Sequence, residues 1–161
     1  MNDGFAGLTG RDNYFEDFAV GAVYEHARGR TMTEMDNVLL THLVMNTAQG
    51  HFNENRMAAS PFKHRITFGG ITASFIIGLA AEDTAEQALA ELGLDKIRFS
   101  TPVYHGDTLY AYTEVLAKQE GGRADAGVVR FRHVGVNQDR KVVFTGERTV
   151  LIKRRSHWSS R

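Results

Sequence analysis

Hydrophobic and polar residues follow two different periods along the chain. In the second half, Val129, Phe131 and His133 alternate with Arg130 and Arg132. A period of two is typical of β-strands. This composition, together with turn-forming residues between the segments, predicts strands over 96–99, 108–118, 127–137 and 142–153.

The first half contains one strand signal and several helix signals. Residues 22–30 have strand composition. Thr33-Glu34-Met35-Asp36 has the spacing of a capping box, with Asp where Glu or Gln is more usual, and it predicts a helix start. Apolar residues then recur every three or four positions, so the helix is expected to end near Asn46, where turn formers begin. A further helical turn is predicted over 53–59.

The segment 69–81 is the strongest local feature. It contains no charge and is apolar on almost every side, which predicts a fully buried helix of about three turns. It is too short to span a bilayer, since a spanning helix needs about 20 apolar residues. Residues 87–94 fit either a helix or a strand. Strands grouped after one buried helix indicate an α+β fold in which the sheet wraps around the helix.

Length and composition are those of an ordinary globular domain. The chain has 161 residues, of which 42% are hydrophobic and 24% charged. We expect a flexible N-terminal arm over 1–13, one domain over 14–153 and a basic C-terminal tail over 154–161. The charges of Lys153-Arg154-Arg155 are interpreted as disordered.

Charge and cysteine content exclude several function classes. Nineteen basic residues balance nineteen acidic ones, so nothing indicates a nucleic-acid partner. No cysteine is present, which excludes disulfides and thiolate chemistry, and the chain shows neither a signal-peptide pattern nor a membrane-span pattern. These features predict a cytoplasmic protein without a membrane partner. The seven histidines lack the spacing of metal ligands, so no metal site is expected.

The most site-like residues lie around the start of the apolar helix. His51 and Asn46 place a titratable imidazole and an amide in one short segment. Gly69 opens the helix, where unpaired N–H groups lie at the positive end of the helix dipole. Together these groups are able to hold a water molecule and polarise a carbonyl. From spacing alone, however, a turn histidine is the commoner interpretation of His51, and Gly69 also fits close packing of helix on sheet.

These residues resemble the motifs of the MaoC-like hydratase/dehydratase family. The family motif is Asp-x-Asn-Pro-x-His, followed by a His-Gly pair at a helix start. Asn46 and His51 occupy the first and last motif positions, and Gly69 matches the glycine of the pair. A second family element is similar to Phe99, Pro102-Val103 and Gly106-Asp107-Thr108-Leu109. The resemblance covers about 14–153 and implies a single hot-dog fold, in chains that pair as a homodimer or a dimer of dimers.

Other segments resemble the branch of the family that contains mesaconyl-CoA hydratase and related (R)-specific hydratases of short enoyl-CoA thioesters. They are Arg28-Gly29-Arg30-Thr31, Asp36-Asn37, Met45-Asn46-Thr47, His51-Phe52, Glu82-Asp83-Thr84 and Asn137-Gln138-Asp139. Three positions depart from the family motif. Asn46 replaces the usual Asp, Ala48-Gln49 replaces Asn-Pro, and Phe68 replaces the His or Asn before the helix-start glycine.

The resemblance implies hydration or dehydration of an enoyl-CoA, with no cofactor besides the coenzyme A of the substrate. The Gly69 N–H would bind the thioester oxygen, His51 would act as the base, and Asn46 would hold the water. The implied substrate-binding residues are Phe68, Gly70, Thr72, Lys63, His64 and Arg65. The Phe68 ring is expected to shorten the acyl pocket. The run 63–65 fits either a phosphate clamp or a solvated turn.

Two other function classes stay open. A hot-dog thioesterase would hydrolyse the same thioester, but such enzymes usually carry a carboxylate near the central helix, and none lies between Ile66 and Ala81. A non-catalytic acyl-CoA-binding domain is favoured if the motif departures have removed catalysis.

Overall fold

The computed structural model describes residues 13–158 as an antiparallel sheet packed on a long helix. The strands are β1 (Val23–Thr31), β2 (Ala88–Phe99), β3 (Thr108–Arg123), β4 (Ala126–Val136) and β5 (Val142–Lys153). They lie in the order β1-β3-β4-β5-β2. The helices are α1 (Glu34–Leu43), α2 (Glu54–Ala58), α3 (Gly69–Thr84) and α4 (Arg155–Trp158). The predicted α+β class is confirmed, and the arm predicted over 1–13 lies outside the described residues except for Asn13.

Strand β2 resolves the ambiguous segment of the sequence. The segment is not a helix: residues 88–99 form one strand that pairs with β5 from Ala88 opposite Ile152 to Phe99 opposite Phe144, and Gln87 lies in the turn before it. Pairing with a long neighbouring strand outweighs the helix propensity of Ala, Glu and Leu. Strand β2 is therefore one edge of the sheet, and β1 is the other.

Helix α1 begins as predicted and ends earlier than predicted. The Thr33 hydroxyl accepts the Asp36 N–H at 3.1 Å, and the Asp36 carboxylate accepts the Thr33 N–H at 3.0 Å, which completes the capping box. The helix ends at Leu43 rather than near Asn46, since Met45 takes a left-handed backbone conformation with φ 57°.

Helix α3 is longer than predicted and is buried on one side only. Ile76 and Ala80 are fully buried against the sheet, whereas Ser74 and Gly78 on the opposite side are exposed in this chain. The predicted burial on all sides is therefore wrong for the single chain. Helix and sheet approach closely at Gly135 of β4, where an added Cβ would lie 2.5 Å from the Ile76 side chain.

A layer of buried polar residues separates two apolar clusters of the core. One apolar cluster contains Met32, Ile71, Ile76, Leu109, Ala111 and Phe144, and a second contains Phe15, Phe18, Val115, Val129, Phe131 and Val150. Between them, His26 contacts the Asp83 carboxylate through Nδ1 at 2.6 Å and the Thr113 hydroxyl through Nε2 at 2.7 Å. Thr113 also contacts His133 Nδ1 at 2.7 Å. The layer is buried, so it does not form an open site.

A short 3-10 turn, Phe15–Asp17, precedes β1 and contacts α4. The Arg155 N–H donates to the Glu16 carboxylate at 3.0 Å, and the Arg155 guanidinium pairs with Asp17 and lies 4.6 Å from the Tyr14 ring centroid. Arg154 pairs with Glu120. The prediction of disordered charge is therefore wrong for Arg154 and Arg155, where the chain turns into α4 and packs back on the domain.

The helices within residues 13–158 are all too short or too polar to cross a membrane.

Candidate active site

A cavity of about 410 Å³ opens where α3 begins beside the segment that follows β2. Its lining contains two of the predicted catalytic residues and one predicted substrate-binding residue, together with mainly apolar neighbours. These residues include His51, Gly69, Thr72, Phe62, Phe99 and Val103. The sequence prediction that His51 and the start of the apolar helix share one site thus corresponds to a cavity in the structure.

His51 is oriented by the backbone. It ends a short 3-10 turn, Gln49–His51, and its Nδ1 lies 2.9 Å from the Ile66 carbonyl oxygen. A carbonyl oxygen only accepts, so the neutral ring carries its proton on Nδ1 and keeps a lone pair on Nε2. The ring packs against Phe68 with a centroid distance of 5.6 Å. The lone pair with which the neutral His51 ring can accept a proton is therefore on Nε2.

Gly69 presents its N–H at the start of α3. Phe68 is the N-cap residue, so Gly69 and Gly70 occupy helical positions whose N–H groups have no carbonyl partner within the helix. The helix dipole adds partial positive charge there. A Cβ on Gly69 would lie 3.1 Å from the Phe99 ring, which covers this glycine closely. At residue 69, the start of α3 can bind an anion, and the nearby Phe99 ring leaves little space for any side chain.

Asn46 stands apart from the cavity lining. Its side-chain oxygen accepts the Ala48 N–H at 3.0 Å, and its own N–H donates to the Thr41 carbonyl at 3.1 Å. These bonds shape the loop that leads to the His51 turn. The structure thus places Asn46 in the same loop as His51 without bringing its side chain to the cavity.

Phe68 and Phe99 both lie near Gly69, but it is not Phe68, as the sequence predicts, whose ring lines the cavity. Phe68 packs on His51 and on the apolar cluster around Ile71, and it does not line the cavity. Its ring also covers Gly70, where an added Cβ would lie 2.6 Å from it. The ring that lines the cavity over Gly69 belongs to Phe99. The sequence places Phe99 at the end of a predicted strand and in a family element, and this position at a strand end was an available signal for a site residue.

The run Lys63, His64 and Arg65 is mostly engaged within the chain. Arg65 contacts Glu34 at 2.6 Å and Glu54 at 3.0 Å, while His64 contacts Glu54 at 2.7 Å. Hydrogen bonds from His64 and Arg65 lower the pKa of Glu54 to about 2. Lys63 is exposed with a positive φ of 67°. Carboxylates of this chain therefore already pair two of the three predicted phosphate-binding cations.

A solved structure supports the class of protein. A putative MaoC domain protein dehydratase from Chloroflexus aurantiacus matches with a TM-score of 0.84 and 31% identity, over 91% of this chain and 46% of that chain. A five-stranded antiparallel sheet packed on α3, with the cavity at the start of that helix, defines a hot-dog domain of the MaoC-like type. The predicted fold is confirmed.

Sequence comparison gives the family. The family model for mesaconyl-CoA hydratase matches residues 5–154, and the chain belongs to this family. It is 36% identical to mesaconyl-CoA hydratase from Haloarcula marismortui, over 88% of this chain and 42% of that protein. It is 31% identical to an (R)-specific enoyl-CoA hydratase from Rhodospirillum rubrum, over 89% of this chain and 94% of that protein. The chain spans less than half the length of the mesaconyl-CoA hydratases that it matches.

Proposed function

We propose that this chain adds water to the double bond of a short enoyl-CoA thioester, or removes it in the reverse direction, on a substrate similar to mesaconyl-CoA. The observation that carries the proposal is one cavity with two complementary groups on its wall. These are the His51 imidazole, with Nε2 unprotonated, and the N–H of Gly69 at the positive end of α3. The relatives named as hydratases support the same reaction class.

The reaction follows from these two groups. The thioester oxygen accepts a hydrogen bond from the Gly69 N–H, which stabilises the negative charge that develops there as water adds to the β-carbon. In other enzymes one such donor contributes about 2.7–4 kcal/mol to catalysis. His51 Nε2 takes one proton from the water, the resulting hydroxide bonds to the β-carbon, and the same proton is returned to the α-carbon. No metal or redox cofactor enters this proposal.

Asn46 has a supporting role in this proposal. An amide does not act as a base at neutral pH, and its oxygen already accepts the Ala48 N–H. The Asn46 side chain lies outside the cavity lining, so its role is to shape the loop that leads to His51. His51 is then the single titratable member of the pair.

The acyl group is proposed to be short, with four or five carbons. Phe99 lines the mainly apolar cavity and lies close to Gly69, so this ring is proposed to limit the length of the acyl group. A terminal carboxylate, as in mesaconyl-CoA, needs a cation because unpaired buried charge is costly. Among the described lining residues there is no Lys or Arg. Comparing a carboxylated with an uncharged substrate therefore tests this part of the proposal.

One assay separates the three function classes. The purified chain is incubated with crotonyl-, mesaconyl- and itaconyl-CoA while enoyl-thioester absorbance and free thiol are both followed. Loss of absorbance without thiol is the expected result. Release of thiol would support a thioesterase instead, although no Asp or Glu is found among the described residues that line the cavity. Binding without either change would support the non-catalytic alternative.

The chain is also proposed to act as a homodimer or a dimer of dimers. Strand β2 is an open edge of the sheet, and its Leu92 and Leu94 are exposed in the single chain. Edge pairing would join two sheets and cover both side chains. Size-exclusion chromatography with light scattering should give a dimer or a tetramer, and a monomer at micromolar concentration would contradict this proposal.

A further inference from the structure

We propose that Asn37 is a positioning residue for the hydration site, which holds the His51 turn and the start of α3 in one fixed arrangement. The inference rests on the proposed function, because it assigns a role toward His51 and Gly69. Asn37 lies in α1, is fully buried, and does not line the cavity. Any effect on the reaction is therefore transmitted through the groups that it binds.

The Asn37 side chain contacts both halves of the site. Its Oδ1 accepts the N–H of Phe68 at 3.1 Å, directly before Gly69. Its Nδ2 lies 3.4 Å from the His51 carbonyl and 3.5 Å from the Ile66 carbonyl. The two carbonyl contacts are long, so they guide the backbone and are weak individually. The Asn37 amide thus connects α1 with two other segments of the chain, the His51 turn and residues 66–68.

The partners determine which way the amide points. A backbone N–H only donates, so Phe68 must face the amide oxygen, and the two carbonyls only accept, so they must face the NH₂ group. A flipped amide would oppose donor to donor and acceptor to acceptor. The Thr41 hydroxyl also donates to Oδ1 at 3.2 Å. Asn37 is held in one orientation, as a positioning group must be.

His105 completes the hydrogen bonding of Asn37. Its Nε2 lies 3.0 Å from Asn37 Nδ2, so this nitrogen is the acceptor and carries no proton. Burial and the charge of Arg65 lower the pKa of His105, which favours this neutral form. The Asn37 oxygen and its NH₂ group therefore both have partners, and none of these hydrogen bonds uses His51 Nε2 or the Gly69 N–H.

The Ile66 carbonyl links Asn37 to the base. This oxygen accepts the His51 Nδ1–H at 2.9 Å and also faces Asn37 Nδ2. A shift of residue 66 would move the His51 ring relative to the Gly69 N–H. A displacement of about 1 Å at a catalytic group can lower the rate about 100-fold. A side chain that never touches substrate thereby sets the distance between base and oxyanion donor.

The test compares Asn37→Leu with Asn37→Asp, each measured for kcat, KM and urea stability. Asn37→Leu removes every hydrogen bond at nearly constant volume and is expected to lower kcat about 100-fold while KM changes less than threefold. Asn37→Asp keeps an oxygen for the Phe68 N–H but loses the NH₂ group. It serves as the second variant if Asn37→Leu does not fold. Thr113→Val is the matched control, because it also removes a buried hydrogen bond but lies in the polar layer away from the cavity.

A double-mutant cycle with His51→Ala tests whether Asn37 acts through the base. In the His51→Ala background, Asn37→Leu should cause little further loss of kcat, since the group that it positions is gone. Losses that multiply fully, or an unchanged kcat in Asn37→Leu, would overturn the inference. So would a fall in kcat of the same size in Thr113→Val, because it would make the effect one of general stability.

A measurement without substrate separates this inference from the proposed function. In proton NMR, the His51 Nδ1–H and the Phe68 amide should exchange slowly in the unmodified chain. Asn37→Leu should speed exchange at both, and Asn37→Asp at His51 alone. If the unmodified chain hydrates no enoyl-CoA, the proposed function fails while this result still decides the positioning role. Unchanged exchange in both variants would contradict that role even in an active enzyme.

Discussion

At the scale of single residues, His51, the proposed base, is held by a neutral group. The Ile66 carbonyl accepts the His51 Nδ1–H, whereas in serine protease triads a carboxylate takes this place and stabilises the imidazolium. A neutral acceptor orients the ring equally well but stabilises its charged form less. In the proposed reaction His51 therefore relies on the position of its ring rather than on a neighbouring negative charge. Replacing the His51 side chain should lower the rate more than replacing the residues around it.

His51→Ala is expected to lower kcat by about 10²–10⁴-fold, the usual contribution of a general base. The fold should be retained, since His51 lies in a partly exposed turn. Asn46→Ala should cost less, because that side chain supports the loop rather than the cavity wall. Steady-state kinetics and circular dichroism measure the two effects. An equal or larger loss in Asn46→Ala would instead make Asn46 the more direct participant.

Phe99→Ala is expected to raise turnover of C8 enoyl-CoA relative to C4, because this ring lines the cavity and lies over Gly69. Phe68→Ala is the matched control. It removes a ring that packs on His51 and should lower kcat for both chain lengths without changing their ratio. The ratio of kcat/KM values for the two substrates is the measurement. A ratio that changes only in Phe68→Ala would return the pocket-limiting role to that residue.

At the scale of secondary-structure elements, composition alone predicted α3 but not its exposed side. The apolar run leads into the core at Ile76 and Ala80, yet small residues such as Ser74 and Gly78 are compatible with either environment. Strand β2 was ambiguous for a similar reason, because its pairing with β5 is a long-range contact that local propensity does not contain.

The candidate site was predictable where a short motif carries it. His51 and Gly69 lie near each other along the chain and meet at one cavity. Phe99 and Asn37 reach the site from β2 and α1, so only the tertiary fold reveals their contacts. The pairing of Arg65 with Glu34 likewise joins positions 31 residues apart. The family motif pointed to the two residues that we propose react, and it missed the side chains that enclose and orient them.

Gly135→Ala is expected to destabilise the fold by about 1–3 kcal/mol, the usual cost of overpacking a core. The added methyl would lie 2.5 Å from Ile76, which is fully buried and has no room to move, so α3 would have to shift from the sheet. Gly78→Ala is the matched control on the exposed side of α3, where nothing lies within 4 Å. It should stabilise by about 0.5–1 kcal/mol. Urea unfolding of both variants checks these signs, and a neutral Gly135→Ala would contradict the close contact.

At the scale of the whole molecule, the core is two apolar clusters joined by a polar layer. The single Thr113 hydroxyl hydrogen serves two rings, so one of His26 and His133 donates to its oxygen while the other accepts. His133 Nε2 has no hydrogen-bond partner among the described residues. Burial, the charge of Arg148 and that of His26 lower the pKa of His133 to about 3. The layer is stable only while His133 is neutral.

The stability of the fold should therefore fall in acid. An unfolded histidine titrates near pH 6.5, whereas His133 in the folded chain stays neutral to about pH 3. Unfolding then takes up a proton in this window, so stability is full above pH 6.5 and decreases as the pH falls, by about 1.4 kcal/mol per pH unit. His133→Gln should reduce this slope in urea unfolding between pH 6 and 4, and His42→Gln at an exposed site should not. Identical slopes in His133→Gln and the unmodified chain would contradict this origin.

The contact between Arg155 and the turn at Glu16 brings together positions that are 139 residues apart in sequence. The beginning and the end of the described chain therefore lie next to each other at one corner of the sheet. A circular permutant that joins these ends through a short linker should therefore keep the same hydrogen-bonded sheet. New termini should be placed away from the turn between β3 and β4, because its Asp125 carbonyl oxygen accepts the Arg154 N–H at 2.8 Å and the Trp158 Nε1–H at 3.1 Å.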